Sequence, residues 1–333
     1  MKTIEAKIYP VTNDLLASIE PYWTELFGTH DWLIGDVYKG LSLNFVNRVM
    51  FQDAAGLDAI RGKSVLYLAN HQTAVESLLF IYLIGGITRT RVFAVAKEEH
   101  KSSWIGKLHR HSKRHRSGTP YDVILYFDRS KPASFLDILD GMGSLLQQRN
   151  KSILIHTEGK RALSCREATT KVSRKTLQLA MQANIPIVPV RFAGGLPVEQ
   201  ANSALTYPTG FGKQDIYVGS PIDPVELAKL DFSRQKEVVL SAINQLGVPV
   251  EEELPSRPNV PFKEEVRALA KRTGLSTELG PIMAALKQLP EPSRDFTELL
   301  QLLEGRGKVD EDRAANPWIS EVPGLFEESG NRR

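Results

Sequence analysis

Cysteine is almost missing from this chain: one, Cys165, stands among 333 residues. A lone thiol excludes an internal disulfide and a four-cysteine metal site, and it fits a reducing cytoplasm. Long apolar runs are missing too. The longest, Leu78 to Ile87, is about half of the ~20 residues that a bilayer-spanning helix needs. The opening residues, Met1 to Lys7, lack the basic start and apolar stretch of a signal peptide, so secretion is not expected. No Walker-type loop or Gly-x-Gly-x-x-Gly fingerprint occurs, so no nucleotide cofactor is indicated. Charge of one sign is scarce overall. The net charge of +3 is too small to drive nucleic-acid binding by itself. It is unevenly spread, however: residues 251–333 hold 16 acidic and 12 basic side chains, which leaves +7 on residues 1–250. Anionic partners should therefore be sought in the first three quarters.

What is present is an ordinary globular composition, 42% hydrophobic and 24% charged, in a chain of roughly two domains' length. Apolar, β-branched runs bounded by turn residues occur at Ser64 to Ala69, Arg91 to Ala96, Asp122 to Phe127, Ser152 to His156 and Ile185 to Phe192. Several intervals between them carry helical periodicity: Leu78, Leu79, Tyr82 and Leu83 share a face, as do Phe135, Leu136, Leu139, Met142, Leu145 and Leu146. This alternation predicts an α/β fold with a mostly parallel or mixed central sheet flanked by helices. Pro186 and Pro189 suggest that their strand lies at an edge or an end. A strand at Asp215 to Val218 and a helix from Ser233 to Leu246 close the unit, giving a catalytic-size domain over 61–250.

The aromatic-rich residues 1–60 read as a helical N-terminal cap of the sheet. Glu251 to Pro258 reads as a linker by composition, and 251–333 as a helical, partly flexible C-terminal extension. No internal repeat is found.

Three strand ends carry candidate chemistry. Leu68 to Ser77 delivers His71 and Glu76 to the mouth of a sheet, where α/β folds place their sites. Glu76 in the first turns of a helix can fix one nitrogen of His71 and leave the other basic, an arrangement that activates a hydroxyl. In the alternative, Glu76 caps the helix and His71 fills space. Tyr126 to Ser130 ends the next block with Arg129. His156 to Arg161 ends another with a glycine turn and two cations, so Arg129, Lys160 and Arg161 can converge on an anion. Each could equally be a surface cation.

Four segments in order resemble the blocks of the glycerolipid (lysophospholipid and glycerol-phosphate, PlsC-like) acyltransferases. They are Asn70-His71 with Glu76, Tyr126-Phe127-Asp128-Arg129, His156-Thr157-Glu158-Gly159-Lys160-Arg161, and Ile185-Pro186-Ile187-Val188-Pro189-Val190. The resemblance covers roughly residues 60–220. It implies acyl transfer from a thioester on coenzyme A or an acyl carrier protein to a hydroxyl of glycerol 3-phosphate or a lysophospholipid, with no other cofactor and no metal. His71 would be the general base and Glu76 its orienting carboxylate. Asn70, Arg129, Glu158, Gly159, Lys160 and Arg161 would bind substrate, and backbone N–H groups around Gly159 are candidates for holding the oxyanion. An activated thioester can be attacked directly, so Cys165 is not read as a nucleophile.

Three departures qualify the match: Glu76 stands where aspartate is usual, Thr157 where proline is, and Lys160 where threonine is. The apolar N-terminal anchor of the family's membrane enzymes is also missing. Two rival readings stay open. One is acyl transfer from an acyl carrier protein to a hydroxyl or amine of a specialised metabolite; the other is a degenerate protein that binds acyl groups or lipid without turnover. The expected location is the cytoplasm, with peripheral contact at the inner membrane face as an option.

Lys97 to Arg116 is rich in Lys, Arg and His. Its charge suits anionic headgroups, the phosphates of coenzyme A or an acidic carrier protein; a solvated loop is the plainer reading. His109, His111 and His115 have no carboxylate or cysteine at a zinc-like spacing, so no metal site is expected, and no nucleic-acid motif occurs. Candidate walls for an acyl chain are Leu78, Phe80, Phe93, Val188 and Phe211, all of which could equally be plain core.

Overall fold

A computed structural model describes residues 5–28, 33–103, 123–128, 141–273 and 278–291. Among the described residues eight strands form one sheet: β1 (Lys7–Pro10), β2 (Val46–Phe51), β3 (Leu66–Ala69), β4 (Arg91–Lys97), β5 (Ile124–Phe127), β6 (Lys151–His156), β7 (Ile187–Ala193) and β8 (Gln214–Val218). Their order is β1-β2-β8-β7-β3-β6-β4-β5. The five strands β7, β3, β6, β4 and β5 run parallel, so their carboxyl ends share one edge of the sheet. β8 lies antiparallel to β7, β2 parallel to β8, and β1 antiparallel to β2. The sheet is therefore mixed, with the parallel part holding the blocks singled out above.

The first 60 residues are more than a helical cap. They supply β1 and β2, which extend the sheet, as well as α1 (Asn13–Phe27), α2 (Leu33–Phe45) and α3 (Ala54–Ile60). Counting aromatics missed β2 because Val46, Val49 and Phe51 are buried on an alternating pattern interrupted by Asn47 and Arg48, a half-buried strand. A β-bulge lies between Val46 and Arg48.

The run Leu78 to Ile87 falls in α4 (Glu76–Thr88), and every residue of that helix except Ser77 is buried. Its apolar circumference is a consequence of central position, between the sheet and α1 and α2. A Cβ on Gly86 would come within 2.6 Å of Ile19, and one on Gly85 within 2.9 Å of Trp23, so the glycine pair is what admits α1. Trp23 then stacks on Tyr82 at 5.5 Å and donates its indole N–H to the Tyr82 carbonyl at 3.2 Å.

On the sheet's other layer lie α5 (Arg174–Ala183), α6 (Pro224–Ala228) and α7 (Phe232–Asn244), packed with residues such as Leu66, Phe93 and Ile153 into a second core. From the C-terminal part, α8 (Val260–Thr273) and α9 (Gly280–Lys287) are described, and α9 packs on α2. The rest of the extension, 292–333, lies outside the described residues.

Two expectations need correction. β7 is interior, not at an edge. Pro189 is accommodated at an irregularity: its carbonyl accepts from the Gly219 N–H at 2.8 Å, and its missing N–H falls between the regular ladder, which ends at Val190 opposite Val218, and the separate bridge of Ile187 with Ile222. A Cβ on Gly219 would lie 2.7 Å from the Pro189 ring, which explains the glycine. Likewise, Glu251 to Pro258 is no free linker. Ser256 bonds Gly194 and Lys213, and Glu253 is buried.

Candidate active site

β3 ends at Ala69, and the next six residues fold into a tight loop that enters α4. Glu76, at the first residue of α4, reaches back over this loop. Its Oε2 accepts from the Gln72 N–H at 2.9 Å and lies 3.0 Å from His71 Nδ1, while Oε1 accepts from the Thr73 N–H at 2.8 Å. Two backbone donors thus fix a fully buried carboxylate, and the carboxylate fixes the imidazole. The extra methylene of glutamate is absorbed by this backbone cradle, so the departure from aspartate leaves the dyad assembled. His71 Nδ1 carries the hydrogen toward Glu76, which leaves Nε2 with its lone pair.

Burial acts on both members in the direction of the uncharged form. It lowers the His71 pKa, with the nearby charges of Arg161, His100 and Lys97 adding to the effect, so the ring is a neutral base at pH 7. It raises the Glu76 carboxyl from the usual carboxylate range to about 7, against the opposing pull of His156 and the Gln72 and Thr73 amides.

A second imidazole, which the sequence reading assigned no role, completes the centre. His156, the last residue of β6, stacks on His71 with ring centroids 3.7 Å apart and planes inclined by 19°. Its Nδ1 lies 2.6 Å from the Asn70 carbonyl oxygen and its Nε2 2.9 Å from Ser77 Oγ. The signal was there: a histidine where an apolar residue would end the strand. Among the described residues, His71, Glu76 and His156 are the group whose ligand atoms cluster, within 4.8 Å. Nitrogen lone pairs lie in the ring plane, so two nearly parallel stacked rings do not aim both at one point. The trio fits a proton-handling cluster better than a metal centre.

His71 and His156 open on a cavity of about 460 Å³, the size range of small-ligand sites. Its apolar lining is Leu78, Ala94, Val95, Ala96, Ile124 and Ile155; its charged and imidazole lining includes Lys97, His100, Asp128, Glu158 and Arg161. Of the candidate acyl walls, Leu78 lines it. Phe80, Phe93 and Val188 are core residues, and Phe211 belongs to an aromatic cluster with Phe45 and Phe262. Strand β4 supplies the wall that side-chain size alone did not suggest.

The substrate-binding candidates part company. Arg161 lines the cavity, steadied by a 2.7 Å bond from its Nη1 to the Leu205 carbonyl, and Glu158 lines it while accepting from the Thr170 N–H and hydroxyl at 3.1 and 3.2 Å. Gly159 lines it at φ 64°, the left-handed conformation that its turn after β6 requires. Its own N–H is spent on the His156 carbonyl at 3.1 Å, so Gly159 itself is not an oxyanion donor. Lys160 is exposed and pairs with Glu167 at 3.8 Å, away from the cavity lining. The Asn70 amide is engaged at both ends by the Phe192 backbone, at 2.8 and 2.9 Å, and clamps β3 to β7. Arg129 lies outside the described residues, as does most of the basic stretch beyond Ser103; Lys97 and His100, at its start, do line the cavity. Cys165 is buried with its thiol directed at the Glu253 carbonyl at 3.4 Å, and burial raises its pKa, as suits an inert thiol.

Residues 52–193 match the acyltransferase family model, and this span contains the dyad, His156 and the cavity's charged lining. Those residues are an acyltransferase-family domain. No curated protein matches the chain. Among solved structures it is similar to the crystal structure of the 1-acyl-sn-glycerophosphate (LPA) acyltransferase PlsC from Thermotoga maritima, at 18% identity and a TM-score of 0.40, over 68% of this chain and 78% of that one. Within the acyltransferase domain, β3 and α4 hold the dyad, and β4, β5 and β6 hold the cavity.

Proposed function

We propose that the acyltransferase domain moves an acyl group from a thioester, on coenzyme A or an acyl carrier protein, to a hydroxyl of glycerol 3-phosphate or a lysophospholipid, with His71 as general base. The observation that carries this reading is the oriented His71–Glu76 pair, 3.0 Å apart, at a cavity whose lining combines apolar side chains with the cations Lys97 and Arg161. An acyl chain and a phosphate make these two demands at once. His71 Nε2 takes the acceptor's proton as its oxygen attacks the acyl carbonyl; Glu76 stabilises the imidazolium; the proton then passes to the departing sulfur. Arg161 and Lys97 supply positive charge for the phosphate and the carbonyl oxygen.

The catalytic unit in this reading is 61–250, with β1 and β2 completing its sheet. Among the described residues no helix is long and apolar enough to cross a membrane. Together with the basic first 250 residues, this fits an enzyme that meets its acceptor in the cytoplasm or at the inner membrane face. The rival reading, a specialised-metabolite acceptor, drew on Lys160 and on the missing N-terminal anchor; Lys160 lies 3.8 Å from Glu167 and outside the cavity lining, which weakens the first of these.

The test is transfer of a labelled acyl group from both thioester carriers to a panel of phosphorylated and unphosphorylated acceptors. Phosphorylated acceptors should react preferentially. Arg161→Ala should raise their KM about tenfold or more while changing the donor's KM less. Equal use of unphosphorylated acceptors would overturn the assignment, and binding of thioester without transfer to any acceptor would favour a binding protein.

A further inference from the structure

His156 has no part in the acyl-transfer reading, yet it fixes the hydrogen of a side chain that the acceptor would meet. The Asn70 carbonyl oxygen can only accept, so the 2.6 Å contact requires His156 to carry its hydrogen on Nδ1. Nε2 is then bare, and the 2.9 Å contact with Ser77 is an O–H donated to nitrogen. Burial lowers the His156 pKa, and so does the neighbouring His71, which keeps the ring neutral and Nε2 a standing acceptor. Ser77 is the one residue of α4 that is not buried, and it lines the same cavity as His71 and His156. A serine hydroxyl ordinarily turns to meet a donor or an acceptor. With its hydrogen committed to His156, Ser77 Oγ has only lone pairs to offer the cavity. Glu158 and Asp128, the carboxylates of the same lining, are acceptors too, but their charge repels a phosphate. Ser77 is thus an uncharged acceptor set beside the base.

We infer that Ser77 determines which acceptor is used: its Oγ receives a hydrogen bond from a second hydroxyl on the carbon next to the attacking one, so that the preferred acceptor is a phosphorylated polyol with a free vicinal diol. Of the two acceptor classes proposed above, that is glycerol 3-phosphate. In a lysophosphatidate the neighbouring hydroxyl is esterified and has no hydrogen to donate. Hydroxyls on adjacent carbons can lie within a hydrogen-bond length of each other, and the stack keeps His71 only 3.7 Å from the ring that holds Ser77, which matches the scale of a diol. One substrate oxygen gives its proton to His71 Nε2 as it attacks the thioester directly; the other donates to Ser77 Oγ, while Arg161 meets the phosphate. The second contact fixes the rotation of the attacking carbon that the phosphate contact alone leaves free. An acceptor without it leaves the Ser77 lone pairs unpaired once the acyl chain has displaced water from the cavity. This rests on the acyl-transfer reading of the pocket, and it can fail while that reading holds.

The experiment measures kcat/KM of the full chain, with the thioester carrier it uses, for three acceptors: glycerol 3-phosphate, 3-hydroxypropyl phosphate, which lacks only the middle hydroxyl, and 1-acyl lysophosphatidate. Glycerol 3-phosphate should be preferred over the deoxy analogue by about 10–100-fold, the effect of one hydrogen bond left unmade in a closed site, and should also outrun lysophosphatidate. Ser77→Ala should bring the ratio of the first two to about one. Alanine suits a helix and the position is not buried, so this variant should fold. His156→Phe keeps an aromatic ring on His71 but frees the Ser77 hydrogen, and should shrink the ratio without abolishing it. A wild-type ratio near one, a Ser77→Ala chain that keeps the wild-type ratio, or a preference for lysophosphatidate would overturn the inference and leave acyl transfer standing. So would a Ser77→Ala chain whose thioester KM rises equally with every acceptor, since Oγ would then serve the donor. Transfer to none of the three would overturn the acyl-transfer reading and this inference together.

Discussion

Among the described residues two glutamates are buried, and their partners make them opposites. Glu76 meets a neutral imidazole and two backbone amides beside a cavity. Glu253 meets the Arg191 guanidinium at 2.5 Å, with both side chains about 2% exposed, and its other oxygen accepts from Gln72 Nε2 and the Gly194 N–H at 2.8 Å. Arg191 spends Nη1 on the Asn244, Leu246 and Val248 carbonyls. A guanidinium never gives up its proton, so Glu253 has a permanent counter-charge and serves as an anchor. Glu76 has only a base that can gain or lose a proton, so the same functional group becomes part of a proton relay. What separates an anchor from a relay is whether the partner titrates.

The sharpest way to break the contrast is to delete each partner set. Glu253→Ala leaves a buried guanidinium uncompensated and should cost about 3–5 kcal/mol of stability, read as a lower midpoint in urea. His71→Ala should do the reverse. It should lower kcat/KM by about 10²–10⁴-fold with little change in the urea midpoint, because it removes a base rather than a counter-charge. A stable, inactive Glu253→Ala, or an unfolded His71→Ala, would dissolve the distinction.

Acid should also separate the two. The working form needs His71 neutral and Glu76 ionised. His71 is pushed down and stays neutral throughout the physiological range, whereas Glu76, raised to about 7, takes a proton as the pH falls through that value. Activity should therefore rise with pH through about 7 and drop tenfold per unit below it, as read from the pH profile of kcat/KM. An acid limb in the ordinary carboxylate range would show that burial does not govern Glu76.

The relay was far more legible in sequence than the anchor. His71 and Glu76 lie five residues apart at a strand end, so local geometry brings them together, and the strand runs that carry β3 to β8 were readable to within a residue or two. Glu253 meets its partners across 62 and 181 residues, and no period announces such a contact. Composition pointed the wrong way there, since a Glu- and Pro-rich stretch reads as a linker until a buried arginine is found opposite it. β2 was hidden for a related reason: its partner strand, β8, is more than 160 residues away, and its aromatic neighbours suggested helices. His156 was in plain view but needed the register of β3 with β6, Ala69 opposite His156, to be seen beside His71.

Gln72 joins the two carboxylates, and altering it should have the smallest effect. Its N–H holds Glu76, its Nε2 holds Glu253, and its Oε1 accepts from the Gly195 N–H at 2.8 Å. Gln72→Met keeps the backbone bond to Glu76 and the side chain's approximate volume, but strips one donor from Glu253 and one acceptor from Gly195. The unpaired Gly195 N–H should cost about 1–3 kcal/mol of stability. If the anchor holds the relay's loop in place, kcat should fall a few-fold with KM nearly unchanged, and Glu253→Gln should produce the same split. Combining the two should then cost less than the sum of the single losses, because both cut the same link. Strict additivity in the kinetics would mean that the two glutamates share a neighbour without sharing a task.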